Sequence, residues 1–163
     1  MLQPAAIDGL AFARDAAVLE GRLGMESLPR LAQSGCSGSI LDFVLSGETN
    51  ERGKQGLKLA VDGSVRLQCQ RCLGILDLPV HLAAQLELAS SEAEIMAADD
   101  DIERVVAGRE MSVAALVEDE VLLALPMAPK HEQCGTAAGL RAKVAPSAFP
   151  ALAALRKRSF SGG

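Results

Sequence analysis

Residues 57–69 read LKLAVDGSVRLQC and residues 76–88 read LDLPVHLAAQLEL. In the first stretch Leu57, Leu59, Val61, Val65, Leu67 and Cys69 alternate with Lys58, Ala60, Asp62, Ser64, Arg66 and Gln68; Gly63 falls in the apolar phase without a side chain. Alternation of this kind is the period of a half-buried strand. Asp62-Gly63 would ordinarily signal a two-residue hairpin turn. A turn there would pair Val61 with Ser64 and set both on one face, whereas the alternation keeps its phase through the glycine. One long strand bent at Gly63 is therefore expected. In the second stretch Leu76, Leu78, Val80, Leu82, Leu86 and Leu88 alternate in the same way. Joined through Gln70–Ile75, the two predict a long antiparallel hairpin. Pro79 has no N–H to give a ladder, so the second strand should lie at an edge there. Strands this long coil. The expected fold is α+β: a strongly curved antiparallel sheet or partial barrel with one long hairpin, one main helix and a flexible basic C-terminal tail.

Outward from the hairpin the signals are shorter. Residues 10–22 suggest a first strand, and residues 25–33 a short helix with Ser27 as cap and Pro29 in its first turn. Ile40–Ser46 reads as a strand with Leu41, Phe43 and Leu45 on one face, followed by a polar loop over 47–56. Ser90–Asp101 is acidic and alanine-rich and reads as a mobile loop; 102–107 could form a short strand. Ser112 is placed to cap a helix over 113–125 that ends at Pro126. On it Val113, Leu116, Val117, Val121 and Ala124 share a face, and Glu118 and Asp119 point away. Leu122, Leu123 and Leu125 widen the apolar surface, so the second half of the helix should be buried. After Cys134 the chain is rich in Ala, Gly, Pro and basic residues. The expected organisation is a single domain over 1–134 and a basic tail over 135–163.

At 163 residues and 17.0 kDa, with 49% apolar and 23% charged residues, the chain is long enough to bury a core. It has no Trp, no Tyr and only Phe12, Phe43, Phe149 and Phe160. That excludes a platform of stacked rings for single-stranded nucleic acid. The net charge of −5 argues against broad electrostatic binding of nucleic acid. The average hides two regions: Glu87–Glu120 holds eleven acids against Arg104 and Arg109, while Lys130–Gly163 holds six bases against Glu132. The N-terminus lacks the basic and apolar regions of a signal peptide, and no run reaches the roughly 20 apolar residues of a membrane helix. A cytoplasmic protein without a membrane partner is expected.

Four cysteines in that compartment point to metal or redox chemistry more than to disulfides. Cys69-Gln70-Arg71-Cys72 closes the first strand, and His131-Glu132-Gln133-Cys134 follows the helix. Two such clips supply three thiolates and an imidazole, the ligand types zinc takes tetrahedrally; four protein ligands leave no open position, so the site would be structural. The plain alternative is reduced thiols in a turn beside a solvated His131. A redox pair wants its cysteine at a helix N-terminus, and Leu73–Leu76 leads into a strand instead. Cys36 reads as a loop thiol, His81 as an exposed histidine, and Glu118-Asp119-Glu120 as a solvated face. No phosphate-binding glycine loop or nucleophile elbow is present, and nothing argues for an enzyme or a small-molecule substrate.

The Cys69-Gln70-Arg71-Cys72-Leu73 block behind a long alternating strand, an acidic stretch, Val117-Glu118-Asp119-Glu120-Val121-Leu122-Leu123-Ala124-Leu125-Pro126, then Pro129-Lys130-His131 and Cys134 together resemble the YceD family, the bacterial large ribosomal RNA subunit accumulation proteins. The resemblance covers roughly residues 40–134 and leaves the tail outside. It implies a non-enzymatic role in accumulation or processing of the large-subunit ribosomal RNA, and it carries over to Cys69, Arg71, Cys72, His131 and Cys134. The expected partners are that RNA, a ribosomal protein, or both. Arg71, Lys130, Arg156, Lys157 and Arg158 are the candidate RNA contacts, since arginine reaches phosphate without an aromatic ring. The rival reading is a thiol redox or metal-handling protein working through the Cys-x-x-Cys pair.

Overall fold

The computed structural model describes residues 6–134. In chain order its elements are β1 (Ala6–Ile7), α1 (Gly9–Arg14), β2 (Val18–Gly24), a 3-10 turn (Met25–Ser27), α2 (Pro29–Gln33), β3 (Ser37–Thr49), β4 (Gln55–Gln68), β5 (Ile75–Ala89), α3 (Glu92–Ala97), β6 (Arg104–Val106), β7 (Met111–Ser112) and α4 (Val113–Ala124). The chain divides into two compact units, Met1–His131 and Glu132–Gly163. All of these elements belong to the first, and of the second the described residues are 132–134.

The two alternating stretches are indeed the long hairpin. β4 runs without a break through Gly63 and pairs antiparallel with β5, Leu57 opposite Leu86, Val61 opposite Leu82, Val65 opposite Leu78 and Leu67 opposite Leu76. The alternation fixes which face is buried: Leu57, Leu59, Val61, Val65 and Leu67 are each at most 8% exposed, while Lys58, Asp62, Ser64 and Arg66 face outward. A one-residue slip would turn every one of these leucines and valines to water. Gly63 is required for a second reason. A β-carbon there would stand 2.6 Å from the Ile40 carbonyl oxygen and 3.0 Å from Leu41 Cδ2. Gly63→Ala is expected to destabilise the fold by about 1–3 kcal/mol through that contact. Urea unfolding checks it, with Ser64→Ala on the same strand expected to stay within about 0.5 kcal/mol.

The sheet has five strands in the order β2-β3-β4-β5-β6, with β6 parallel to β5 and the other neighbours antiparallel; β1 and β7 form a separate short ladder. This is the expected α+β class, but the sheet is open rather than barrel-like: it ends at β2 on one side and β6 on the other. Because β6 reaches only Glu87–Ala89 of β5, Pro79 lies where no further strand pairs with β5 among the described residues, as its missing N–H demands. The inner face is closed by α1, α2 and α4. Asp8 caps α1 by accepting the Ala11 N–H, and α1 crosses β3 where Gly47 leaves room; a β-carbon there would meet the Phe12 carbonyl oxygen. Leu28 and Leu31 near α2 and Leu116, Val117 and Val121 of α4 complete the core, each burial contributing roughly 1.5–3 kcal/mol.

Several local expectations are corrected. Residues 10–22 are not one strand: Gly9–Arg14 is helix and the strand begins at Val18. The α2 N-cap is Leu28, without a side-chain bond, rather than Ser27; Pro29 is in the first turn as expected. The loop over 47–56 is shorter, because β3 continues to Thr49 and β4 starts at Gln55. The acidic stretch after β5 is not a loop throughout. Ser91 caps α3 by accepting the Glu94 N–H, and the Glu94 carboxylate returns to the Ser90 N–H at 2.8 Å and hydroxyl at 2.6 Å. Cys36 is a core residue, 5% exposed. The second half of α4 is buried on one side only: Val121 is fully buried, but Leu123 is 73% exposed.

The largest correction concerns Glu118, which turns inward and is 3% exposed. Its carboxylate accepts the backbone N–H of Arg30 at 2.5 Å and of Leu31 at 2.9 Å, and the Arg30 guanidinium at 2.9 Å. It supplies the cap that α2 lacks in its own sequence. A second buried carboxylate, Glu87, sits where β6 joins the sheet. Arg104 bonds it at 3.1 Å, Arg52 at 2.5 Å and Asn50 at 2.9 Å. Burial pushes the Glu87 carboxyl up, but those three hydrogen bonds outweigh it and hold the group below its ordinary value. Arg104 in turn holds Asp100 down to about 2.

Candidate metal centre

The chemistry gathers at the tip of the hairpin. Cys69 leaves β4, and the chain reverses through a turn in which the Cys69 N–H reaches the Gly74 carbonyl and the Leu73 N–H reaches the Cys69 carbonyl, each at 2.9 Å. Leu73 holds the left-handed conformation with φ 60°, a rare state for a residue with a side chain. Gly74 follows it, and a β-carbon there would lie in ordinary van der Waals range of Cys72 Sγ and the His131 ring. The segment after α4 is laid against this turn by backbone bonds: the Gln70 N–H donates to the Pro129 carbonyl at 2.8 Å.

His131 then enters the turn with every polar atom engaged. Its N–H points at Cys69 Sγ at 3.4 Å, and its carbonyl accepts the Arg71 guanidinium at 2.8 Å. Its ring Nε2 lies 2.8 Å from the Ile75 carbonyl oxygen, and Nδ1 lies 3.3 Å from Cys72 Sγ. A carbonyl only accepts, so Nε2 carries the proton and Nδ1 in the neutral ring presents a lone pair toward the sulfur. A ring held at its outer nitrogen by a carbonyl is the usual arrangement of a metal-binding histidine.

The donor atoms of Cys69, Cys72, His131 and Cys134 all lie within 4.8 Å of one another. Sulfurs around a tetrahedral zinc stand about 3.8 Å apart, so these four groups are close enough to hold one ion with a small contraction. They are also the right donors for it, three soft sulfurs and an imidazole. Cys72 and His131 are 59 residues apart in sequence, and closing such a loop costs about 4 kcal/mol of chain entropy, which the sheet and α4 have already met by bringing the ends together.

Cys69 is fully buried, yet its thiol is acidic. The Cys72 backbone N–H, with the His131 and Arg71 N–H groups and the Cys72 side chain, outweighs the opposing effect of burial and lowers it to about 5. The same donors would hold a thiolate ready for a cation. In the metal-stripped protein this makes stability depend on pH. The unfolded thiol titrates near 8.5, so the unfolded chain binds more protons between about 5 and 8.5 and stability should rise with pH across that window. The contribution is fully present above about 8.5 and lost as pH falls through about 5. Urea midpoints of chelator-treated protein at acidic, neutral and alkaline pH test this; Cys69→Ala should flatten the slope, and a flat wild-type profile would contradict it.

The four residues that the spacing singles out are the ones the fold brings together. The spacing gives no hint of the Ile75 carbonyl or the Gln70–Pro129 bond, which are backbone groups and leave no mark on side-chain sequence. Arg71 is exposed at the tip but turns back onto the clip through His131; Lys130, next to it, is exposed. Arg156, Lys157 and Arg158 lie outside the described residues. His81 is exposed as expected and pairs with Asp62 across the hairpin. No helix among the described residues is long and apolar enough to cross a membrane. A cavity of about 700 Å3 lies at the opposite end of the hairpin, but its basic groups Arg52 and Lys58 are bonded to Glu87 and Glu48.

Comparison with family models adds the remaining observation. Residues 57–154 match the model described as large ribosomal RNA subunit accumulation protein YceD. The chain belongs to the YceD family. The YceD match starts at the first residue of the alternating stretch, later than the resemblance read from sequence, and runs past Cys134 into the tail that reading left outside. YceD is named for accumulation of the large-subunit RNA and not for a reaction, which attaches the chain to ribosome production at that level. No curated protein and no solved structure matches the chain.

Proposed function

We propose that the chain is a non-enzymatic assembly factor that promotes accumulation or processing of the large-subunit ribosomal RNA by binding that RNA, a ribosomal protein, or both. The YceD match carries this reading. In it, Cys69, Cys72, His131 and Cys134 hold a structural zinc that fastens the segment after α4 to the hairpin tip. Arg71 and Lys130 at the tip, with Arg156, Lys157 and Arg158 in the tail, meet phosphate; residues 1–134 form the folded domain and 135–163 a basic extension. The site of action is the cytoplasm, and no small-molecule substrate is required. Crosslinking of the tagged protein to RNA in cells tests the reading. Large-subunit RNA should be recovered, and recovery should fall with Arg71→Ala and with truncation after Cys134. A ribosomal protein co-purifying after nuclease treatment, without crosslinked RNA, would assign the protein partner. Recovery of neither would overturn the reading.

The acidic thiol of Cys69 favours a second reading, a thiol redox or metal-handling protein. Elemental analysis with thiol titration separates the two. One zinc per chain, lost on Cys69→Ser and on Cys134→Ser, supports the structural site. Absence of metal with a readily formed Cys69–Cys72 disulfide supports redox chemistry.

A further inference from the structure

β2 is the terminal strand of the five-stranded sheet. It pairs with β3 over its whole length without a register shift, and among the described residues no strand pairs with it on the other side. Its sequence is Val18-Leu19-Glu20-Gly21-Arg22-Leu23-Gly24. About Gly21 this sequence is charge-complementary to itself when reversed: Glu20 answers Arg22, and Leu19 answers Leu23. We propose that β2 pairs antiparallel with β2 of a second copy of this chain, about a two-fold axis through Gly21, to join two five-stranded sheets into one.

The backbone phase agrees with that register. The Gly47 N–H donates to the Ala17 carbonyl at 2.8 Å, so residue 17 and its alternates, 19, 21 and 23, turn their polar groups toward β3. Val18, Glu20 and Arg22 turn theirs toward the outer edge. With the axis at Gly21, Glu20 of one copy and Arg22 of the other form hydrogen-bonded pairs, and each such pair exchanges two N–H to carbonyl bonds. Moving the axis by one residue sets Glu20 opposite Glu20 or Arg22 opposite Arg22, and like charges directly opposite are destabilising. The side chains therefore select one register out of the three that keep most of the strand paired.

The outer face of the sheet fits the same arrangement. Arg22 Nε is 2.7 Å from Asp42 on β3. Glu20 of the second copy extends that pair into a row of alternating charge across the junction. In the same register Val18 stands opposite Gly24, whose neighbour on β3 is Ile40. Val18 and Ile40 are 61% and 57% exposed in the single chain. β2 also has no proline and no bulge to block pairing along its edge. An isologous contact of this kind closes after two copies and does not propagate.

Sedimentation equilibrium of the full chain and its charge variants tests the proposal. The wild type should show a monomer–dimer equilibrium. Arg22→Glu, and separately Glu20→Arg, should weaken self-association by about tenfold or more, because each places two like-charged pairs across the axis. An equimolar mixture of the two variants should restore association, since every pair is then complementary. The double variant Glu20→Arg/Arg22→Glu should do so within one chain. Circular dichroism establishes that each variant folds. A wild type that is monomeric at all concentrations, a dimer unchanged by either reversal, or a mixture that fails to recover would each overturn the proposal.

Discussion

With a structural metal held as proposed, replacing Cys72 by serine is expected to abolish metal binding and release the segment that follows α4 from the hairpin tip. The sulfur of Cys72 faces His131 Nδ1 at 3.3 Å, where the two clips meet. Loss of an outer partner of a metal ligand typically costs 10–100-fold in affinity, and loss of a ligand should cost more than about 100-fold. The five-stranded sheet carries its own core, so the hairpin should remain folded. Limited proteolysis should then cut near the exposed Lys130 much faster in Cys72→Ser than in wild type, with far-ultraviolet circular dichroism nearly unchanged. Chelation of the wild type should reproduce the variant. Equal metal content in variant and wild type would exclude Cys72 from the site.

Glu118→Ala is the second large effect. Removing this carboxylate strips the acceptor from the Arg30 and Leu31 N–H groups and leaves the buried one of Leu31 unmatched. Stranding buried donors of this kind costs about 2–4 kcal/mol. Asp119→Ala removes the other carboxylate of Arg30, which sits on an exposed pair and should cost under about 1 kcal/mol. The contrast between adjacent residues is the test: equal urea midpoints for the two variants would refute the capping role of Glu118.

These two residues also mark where sequence reading works and where it stops. Cys69 and Cys72 belong to a local clip, and His131 and Cys134 to another, so spacing alone singles out the four residues that the fold places together. The hairpin is legible for the same reason. Its signal, alternation held in phase through Gly63, lies within one continuous stretch. Glu118 looks solvated in sequence because its neighbours are charged; its partners Arg30 and Leu31 lie 88 and 87 residues away. Helix α3 does carry a local signal, since Ser91 followed three residues later by Glu94 is a capping pattern, but the acidic composition around it masks it. Leu123 is the opposite case, because apolar composition says nothing about how far a helix overhangs the sheet.

The sequence by itself determined the strand period, the buried face of the hairpin, the Ser112 start and Pro126 stop of the main helix, the two cysteine and histidine clips and the family. All of these depend on residues within a few positions of one another. Only the tertiary structure decided that the sheet stays open, that β2 ends it, that a carboxylate on α4 caps α2, and that Ile75 and Pro129 lend backbone groups to the cysteine cluster. Those depend on which distant segments meet, and that is set by packing apolar faces whose pattern is the same for many possible partners.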